Sequence, residues 1–189
     1  EAITRFGSLR RTTDFRVLGL RNTWQDTRVS YFHKSIGGYH GAKLKRYQEL
    51  IDFQLSPEIN SLITVLQHAP NRQSIDSVLA KLPALNMLNT KYIIYADDQP
   101  PILNPHALGS AWFVDEVREV KNADEEITTL GKVDPKRTAL VDARYYGEVA
   151  NAARPDSTAS VKLNGYKSND LSYTVKSANG GVVVFSEIW

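Results

Sequence analysis

The run Phe15-Arg16-Val17-Leu18-Gly19-Leu20 alternates apolar and polar positions and predicts a first strand after a polar, arginine-rich lead-in. Residues 21–40 hold no sustained period and read as a long loop. From Gly41 the positions Leu44, Tyr47, Leu50, Ile51 and Leu55 recur at helical spacing, which predicts a helix with Lys43, Lys45, Arg46 and Glu49 mostly outward. Ser56-Pro57 reads as a restart, a serine N-cap followed by proline at the first helical position, and Ile59, Leu62, Ile63 and Leu66 give that second helix one apolar stripe. Ser74 is expected to cap a short third helix carrying Ile75, Val78, Leu79 and Leu82, with Pro83 ending it.

Residues 84–89 then lead into a buried strand at 91–95, followed by a turn-rich loop containing Asp97-Asp98-Gln99-Pro100-Pro101 and Asn104-Pro105. Strands are expected at 111–114, 117–120 and 138–141. Asn122 with Glu125 resembles a capping box and Gly131 a stop, so residues 123–130 read as a helix. Arg154-Pro155-Asp156-Ser157 breaks the pattern, and three alternating runs follow at 160–163, 171–177 and 181–188, joined by the hairpin signals Asn164-Gly165 and Asn179-Gly180-Gly181. Helices followed by strands, without strict alternation, give an α+β class. The expected division is an α+β part with a small sheet over residues 1–150 and an antiparallel β unit over 151–189. Three strands bury two faces poorly, so that unit is expected to pair with the first part or to be truncated at the C-terminus.

Composition narrows the class. The 189 residues are 42% hydrophobic and 10% aromatic, enough for a packed core, and the longest apolar runs fall far short of the roughly 20 residues a membrane helix needs. Zero cysteines exclude disulfides, thiolate zinc sites and a cysteine nucleophile. The chain begins at Glu1, carries no signal-peptide pattern and stops at Trp189 just after a strand-like run, and so reads as a piece of something larger. The net charge of +2 hides an asymmetry: residues 1–55 hold ten Lys/Arg against five Asp/Glu, and residues 56–189 hold thirteen against sixteen. A basic first third suits phosphates, an anionic membrane surface, an acidic partner or simply a solvated face.

Candidate chemistry concentrates in residues 30–48, SYFHKSIGGYHGAKLKRYQ, with two histidines, three lysines, one arginine, four aromatics and three glycines. Glycines permit close backbone approach, and a helix start near Gly41 would favour an anion. A P-loop is excluded, because the places of its second glycine and its Ser/Thr hold Ala42 and Leu44. His33 and His40 lack further ligands at metal spacing, so no metal and no cofactor is expected. Asp97-Asp98 and Glu125-Glu126 are adjacent pairs that do not face each other across a cleft, and they read as a solvated loop and a helix N-terminus. No GxSxG elbow occurs, so no catalytic residue is assigned. The polar ends of Lys34 and His40 gain nothing from burial. Lys34, His40 and Lys43 are therefore the expected anion or polar contacts and Tyr39 the stacking surface, whereas Phe32 and Tyr47 suit a structural role.

The runs YFHKSIGGYHGAKLKRYQELID, LNMLNTKYIIY, GSAWFVDEV, NADEEI and VVVFSEIW resemble the extracytoplasmic portion of YfhO-type bacterial membrane proteins, particularly those of Bacteroidetes, over most of the chain from about Phe15 onward. The resemblance implies a multi-pass protein similar to GT-C glycosyltransferases, which take sugars from polyprenyl-phosphate carriers outside the cytoplasmic membrane. It further implies a catalytic acidic residue upstream of Glu1, so that this portion alone is not catalytic. The implied location is the periplasmic face of the inner membrane, and Trp189 is then a boundary before a further β-rich stretch. The implied partners are the transmembrane part of the same polypeptide and a polyprenyl-phosphate sugar or envelope glycan. A non-catalytic structural or glycan-binding module is the alternative. No nucleic-acid recognition module accompanies the basic charge, and no nucleic-acid partner is expected.

Overall fold

The computed structural model describes residues 14–39, 43–68, 71–167 and 170–188. The class is α+β, and the chain divides into two compact units, Glu1–Ala107 and Leu108–Trp189.

In the first unit, strand β1 (Arg16–Gly19) pairs in parallel with β2 (Thr90–Ile94), and β2 pairs antiparallel with β3 (Ile102–Leu103). Val17 and Leu18 are both fully buried, so β1 is covered on both faces and does not alternate. Leu18 and Ile93 join the main core, whereas Val17 and Ile94 pack with Val29 of the short helix α1 (Arg28–Phe32). The loop expected over 21–40 thus contains a helix that covers the second face.

The main core is built by a long helical stretch. Helix α2 (Lys45–Leu50) continues through a π-helical segment (Ile51–Leu55) into α3 (Ser56–Gln67) without a break. Ser56 is therefore not an N-cap: its backbone is helical and its N–H reaches the Ile51 carbonyl, five residues back. Proline inside a helix loses one hydrogen bond and crowds the preceding turn. The widened turn just before Pro57 accommodates both effects, which is why the apparent restart is continuous. The predicted start at Gly41 lies outside the described residues, and regular helix begins at Lys45.

Helix α4 (Arg72–Leu79) is capped by Asn71, whose side chain accepts from Ser74 N–H at 2.8 Å, so Ser74 sits inside the first turn it was expected to cap. Pro83 opens a further helix, α5 (Pro83–Met87), where it was expected only to end the preceding one. The first turn of α5 is capped from α3: the buried Glu58 carboxylate accepts from Ala84 N–H at 2.8 Å and Leu85 N–H at 2.9 Å. Burial pushes this carboxyl up to about 7, against the pull of both donors. A buried amide chain follows, with Asn86 Nδ2 donating to the Leu79 carbonyl, and Asn104 Nδ2 donating to Asn86 Oδ1 and the Thr90 carbonyl.

In the second unit β4 (Ala111–Val114) pairs antiparallel with β9 (Val182–Phe185). Strands β5 (Glu116–Val120) and β6 (Thr138–Asp142) pair in parallel across the crossover helix α6 (Ala123–Leu130). Asn122 caps α6 through Glu125 N–H at 3.0 Å, as expected. Gly131 ends α6 in right-handed geometry, with φ of −70°, so no left-handed stop is formed. Helix α7 (Ala143–Val149) has no counterpart in the sequence reading; Asp142 caps it by accepting from Arg144 N–H. Strands β7 (Ser160–Lys167) and β8 (Asp170–Lys176) pair antiparallel.

Asn164-Gly165 does not turn the chain. Gly165 lies within β7, opposite Ser172, beside a register shift, and the pairing continues to Lys167 opposite Asp170. The expected boundary near 150 also differs from the division at Ala107 and Leu108, because β9 returns to pair with β4. Asp156 ties the same unit together, its carboxylate accepting from Thr158 N–H and Oγ1–H, Ser177 Oγ–H and Ala178 N–H.

Candidate functional site

The carboxyl ends of adjacent parallel strands are where open sheets leave a crevice, and β1 and β2 end beside each other through the register Gly19 to Ile94. A cleft of about 390 Å³ lies there, bordered by Gly19, Arg21, Asp26, Arg28, Val29 and the segment 94–98. A Cβ at Gly19 would fall 2.8 Å from Val29 Cγ2, so glycine lets α1 sit close to the strand end.

Charges in the cleft are paired in sequence along its wall. Arg21 Nη1 donates to Asp97 Oδ2 at 3.1 Å, and Arg28 Nη1 stands 3.5 Å from the same oxygen. Arg28 Nε and Nη2 also meet Asp26 Oδ2 at 2.8 and 2.7 Å, while Arg28 N–H donates to Asp26 Oδ1. The Arg28 guanidinium, followed by its backbone N–H, holds the Asp26 carboxyl below the ordinary range, and Asp26 in turn raises Arg28. A second groove of about 320 Å³, lined by Leu20, Ile63, Leu66 and Gln67, shares Arg21 and Tyr95 with this cleft.

Gly37 and Gly38 pack against the segment 23–30. A Cβ at Gly37 would fall 1.9 Å from the Thr23 carbonyl oxygen, and Gly38 N–H donates to that oxygen at 2.8 Å. Gly38 has φ of +120° and runs beside Asp26 and Ser30, and the adjacent Tyr39 is 72% exposed. Lys43 Nζ lies 5.9 Å from the centroid of the Trp24 ring. Lys34 is half-buried, and its carbonyl accepts from Val17 N–H where Ser35 bridges to β1. His40 lies outside the described residues. Tyr47 has the structural role foreseen for it: its hydroxyl donates to the Ile36 carbonyl at 2.6 Å, and burial pushes that hydroxyl up to about 12. Phe32 packs beside Val17 and Val29.

Arg21, Arg28, Tyr95 and Asp97 were not singled out as site residues from the sequence. Asp97 is 76 positions from Arg21, and the signal that joins them is the parallel pairing of two strands read separately. Among the described residues no group of three His, Cys, Asp or Glu is arranged to hold a metal, and no helix is long and apolar enough to cross a membrane. No family model, curated protein or solved structure matches the chain.

Proposed function

We propose that this chain is the extracytoplasmic portion of a YfhO-like membrane protein, at the periplasmic face of the inner membrane, and that it binds donor or acceptor for a GT-C-type transfer from a polyprenyl-phosphate sugar. The reading is carried by the resemblance of the run YFHKSIGGYHGAKLKRYQELID, within which Gly37 packs on the Thr23 carbonyl and Gly38 runs beside the backbone oxygen of Asp26. In this reading Lys34, His40 and Lys43 meet the donor phosphate or polar groups of the acceptor, and Tyr39 stacks on a sugar face. The reacting acid belongs to the membrane part of the polypeptide. Glycan transfer by the full-length protein should fall when Lys34 and His40 are both changed to alanine with folding intact. Unchanged transfer removes those residues from the site.

A second reading, a structural or glycan-binding module without a catalytic partner, is favoured by the Tyr47 hydroxyl bond to Ile36 and the Gly37 contact with Thr23, which give the same run a purely architectural use. The complete reading frame separates the two. Many apolar segments of about 20 residues, with an acidic residue in the first outward loop, belong to the enzyme reading.

A further inference from the structure

We infer that the cleft at the carboxyl ends of β1 and β2 binds a neutral polyol, the hydroxyl-bearing face of a carbohydrate, through Arg21, Asp97 and Arg28, with Tyr95 at its edge. This rests on the reading above and deepens it, giving the acceptor a place of its own.

The cleft wall carries two guanidiniums and three carboxylates, Arg21 and Arg28 against Asp26, Asp97 and Asp98. An anion would meet a net negative lining. A cation would find Asp97 Oδ2 and both oxygens of Asp26 already accepting from arginine. A hydroxyl suits this wall because it donates and accepts at once, giving its proton to a carboxylate and taking one from the neighbouring guanidinium without displacing the pair. Arg21, Asp97, Arg28 and Asp26 alternate donor and acceptor in that order, and each hydroxyl of a pyranose ring can meet either kind of group.

Accessibility and shape agree with that ligand. The side chains of Arg21 and Arg28 are 70% and 47% exposed, so their remaining N–H donors stay within reach of solvent and solute. The cleft volume of about 390 Å³ falls in the range of small-ligand sites, about 300–1,000 Å³. Tyr95 lines both the charged cleft and the apolar groove formed by Leu20, Ile63 and Leu66. An aromatic residue at the seam between a polar and an apolar wall matches a sugar ring, which has hydroxyls at its rim and C–H bonds on its face.

The experiment is saturation-transfer NMR on the chain with methyl α-D-glucopyranoside, methyl α-D-mannopyranoside, methyl β-D-galactopyranoside and N-acetylglucosamine, with inorganic phosphate as competitor. At least one sugar should receive saturation, phosphate should not displace it, and Asp97→Asn and Arg21→Gln should each weaken binding about tenfold, the loss of one charge-assisted hydrogen bond. Both positions are solvent-accessible, and unchanged thermal melting of either variant confirms the fold, so one well-folded variant suffices. No transfer to any of the sugars, displacement by phosphate, or unchanged binding in the folded variants overturns the inference. Transfer by the full-length protein with Lys34 and His40 replaced reports on the reading above independently, so the two fail separately.

Discussion

Glu58 on α3 and Ala84 at the start of α5 are 26 positions apart, yet the carboxylate of the first accepts the backbone N–H of the second at 2.8 Å inside the core. The cap for a five-residue helix is thus supplied by another helix, because Leu82 before it has no side chain able to accept.

Replacing Glu58 by alanine leaves the N–H groups of Ala84 and Leu85 without their carboxyl acceptor. The expected cost at pH 5 is about 1–3 kcal/mol, the range for buried donors stripped of an acceptor. Chemical denaturation against the wild type measures it, and an unchanged midpoint would show that solvent replaces the carboxylate.

Stability should also depend on pH through Glu58. Its carboxyl, ordinarily near 4.5, is raised by burial to about 7, so between those values the folded state holds a proton that the unfolded chain has released. Its contribution is fully present below pH 4.5 and is lost as pH rises through 7, a difference on the order of 3 kcal/mol. Melting temperatures from pH 4.5 to 8 for the wild type and Glu58→Gln test this, the variant lacking that part of the slope.

Gly37→Ala should destabilise the first unit, since the added Cβ would fall 1.9 Å from a backbone oxygen that cannot swing away as a side chain does. A cost of about 1–3 kcal/mol is expected for this forced overpacking. Faster exchange of the Gly38 amide, which donates to the same oxygen, would accompany it.

Asp156→Asn should lower the melting temperature and loosen the end of β8. Hydrogen bonds from Thr158, first its side chain and then its backbone, and from Ala178 hold the Asp156 carboxyl well below the ordinary carboxylate range. Acidification should produce the same loosening in the wild type only at strongly acid pH, seen as increased exchange of the Ala178 amide.

Local signals were legible where one segment decides its own structure. Asn122 with Glu125 specifies the start of α6, and the apolar runs at 91–95 and 111–114 read directly as strands, observed at Thr90–Ile94 and Ala111–Val114. Features set by distant partners were not. Ser56-Pro57 carries every local mark of a helix start, but Leu55 and Ile59 are buried in one core, and burying both keeps the helix continuous. Asn164-Gly165 is a strong turn pair overridden by cross-strand pairing to Thr174 and Ser172. Tyr39 and Lys43 could be singled out by residue type, whereas the cleft needed the pairing of β1 with β2 before Arg21 and Asp97 became neighbours.

That same pairing governs how the first unit comes into being. Arg16 is registered with Thr90, a separation of 74 positions, so β1 has no strand partner until nearly the whole unit has been synthesised. The helices between them close their contacts early, and Leu18 and Val17 gain Ile93 and Ile94 only once β2 is made. A nascent chain interrupted before residue 90 would leave the β1 edge that pairs with β2 open to association with other chains. The order of synthesis thus makes completion of β2 the step that commits this unit to its native state.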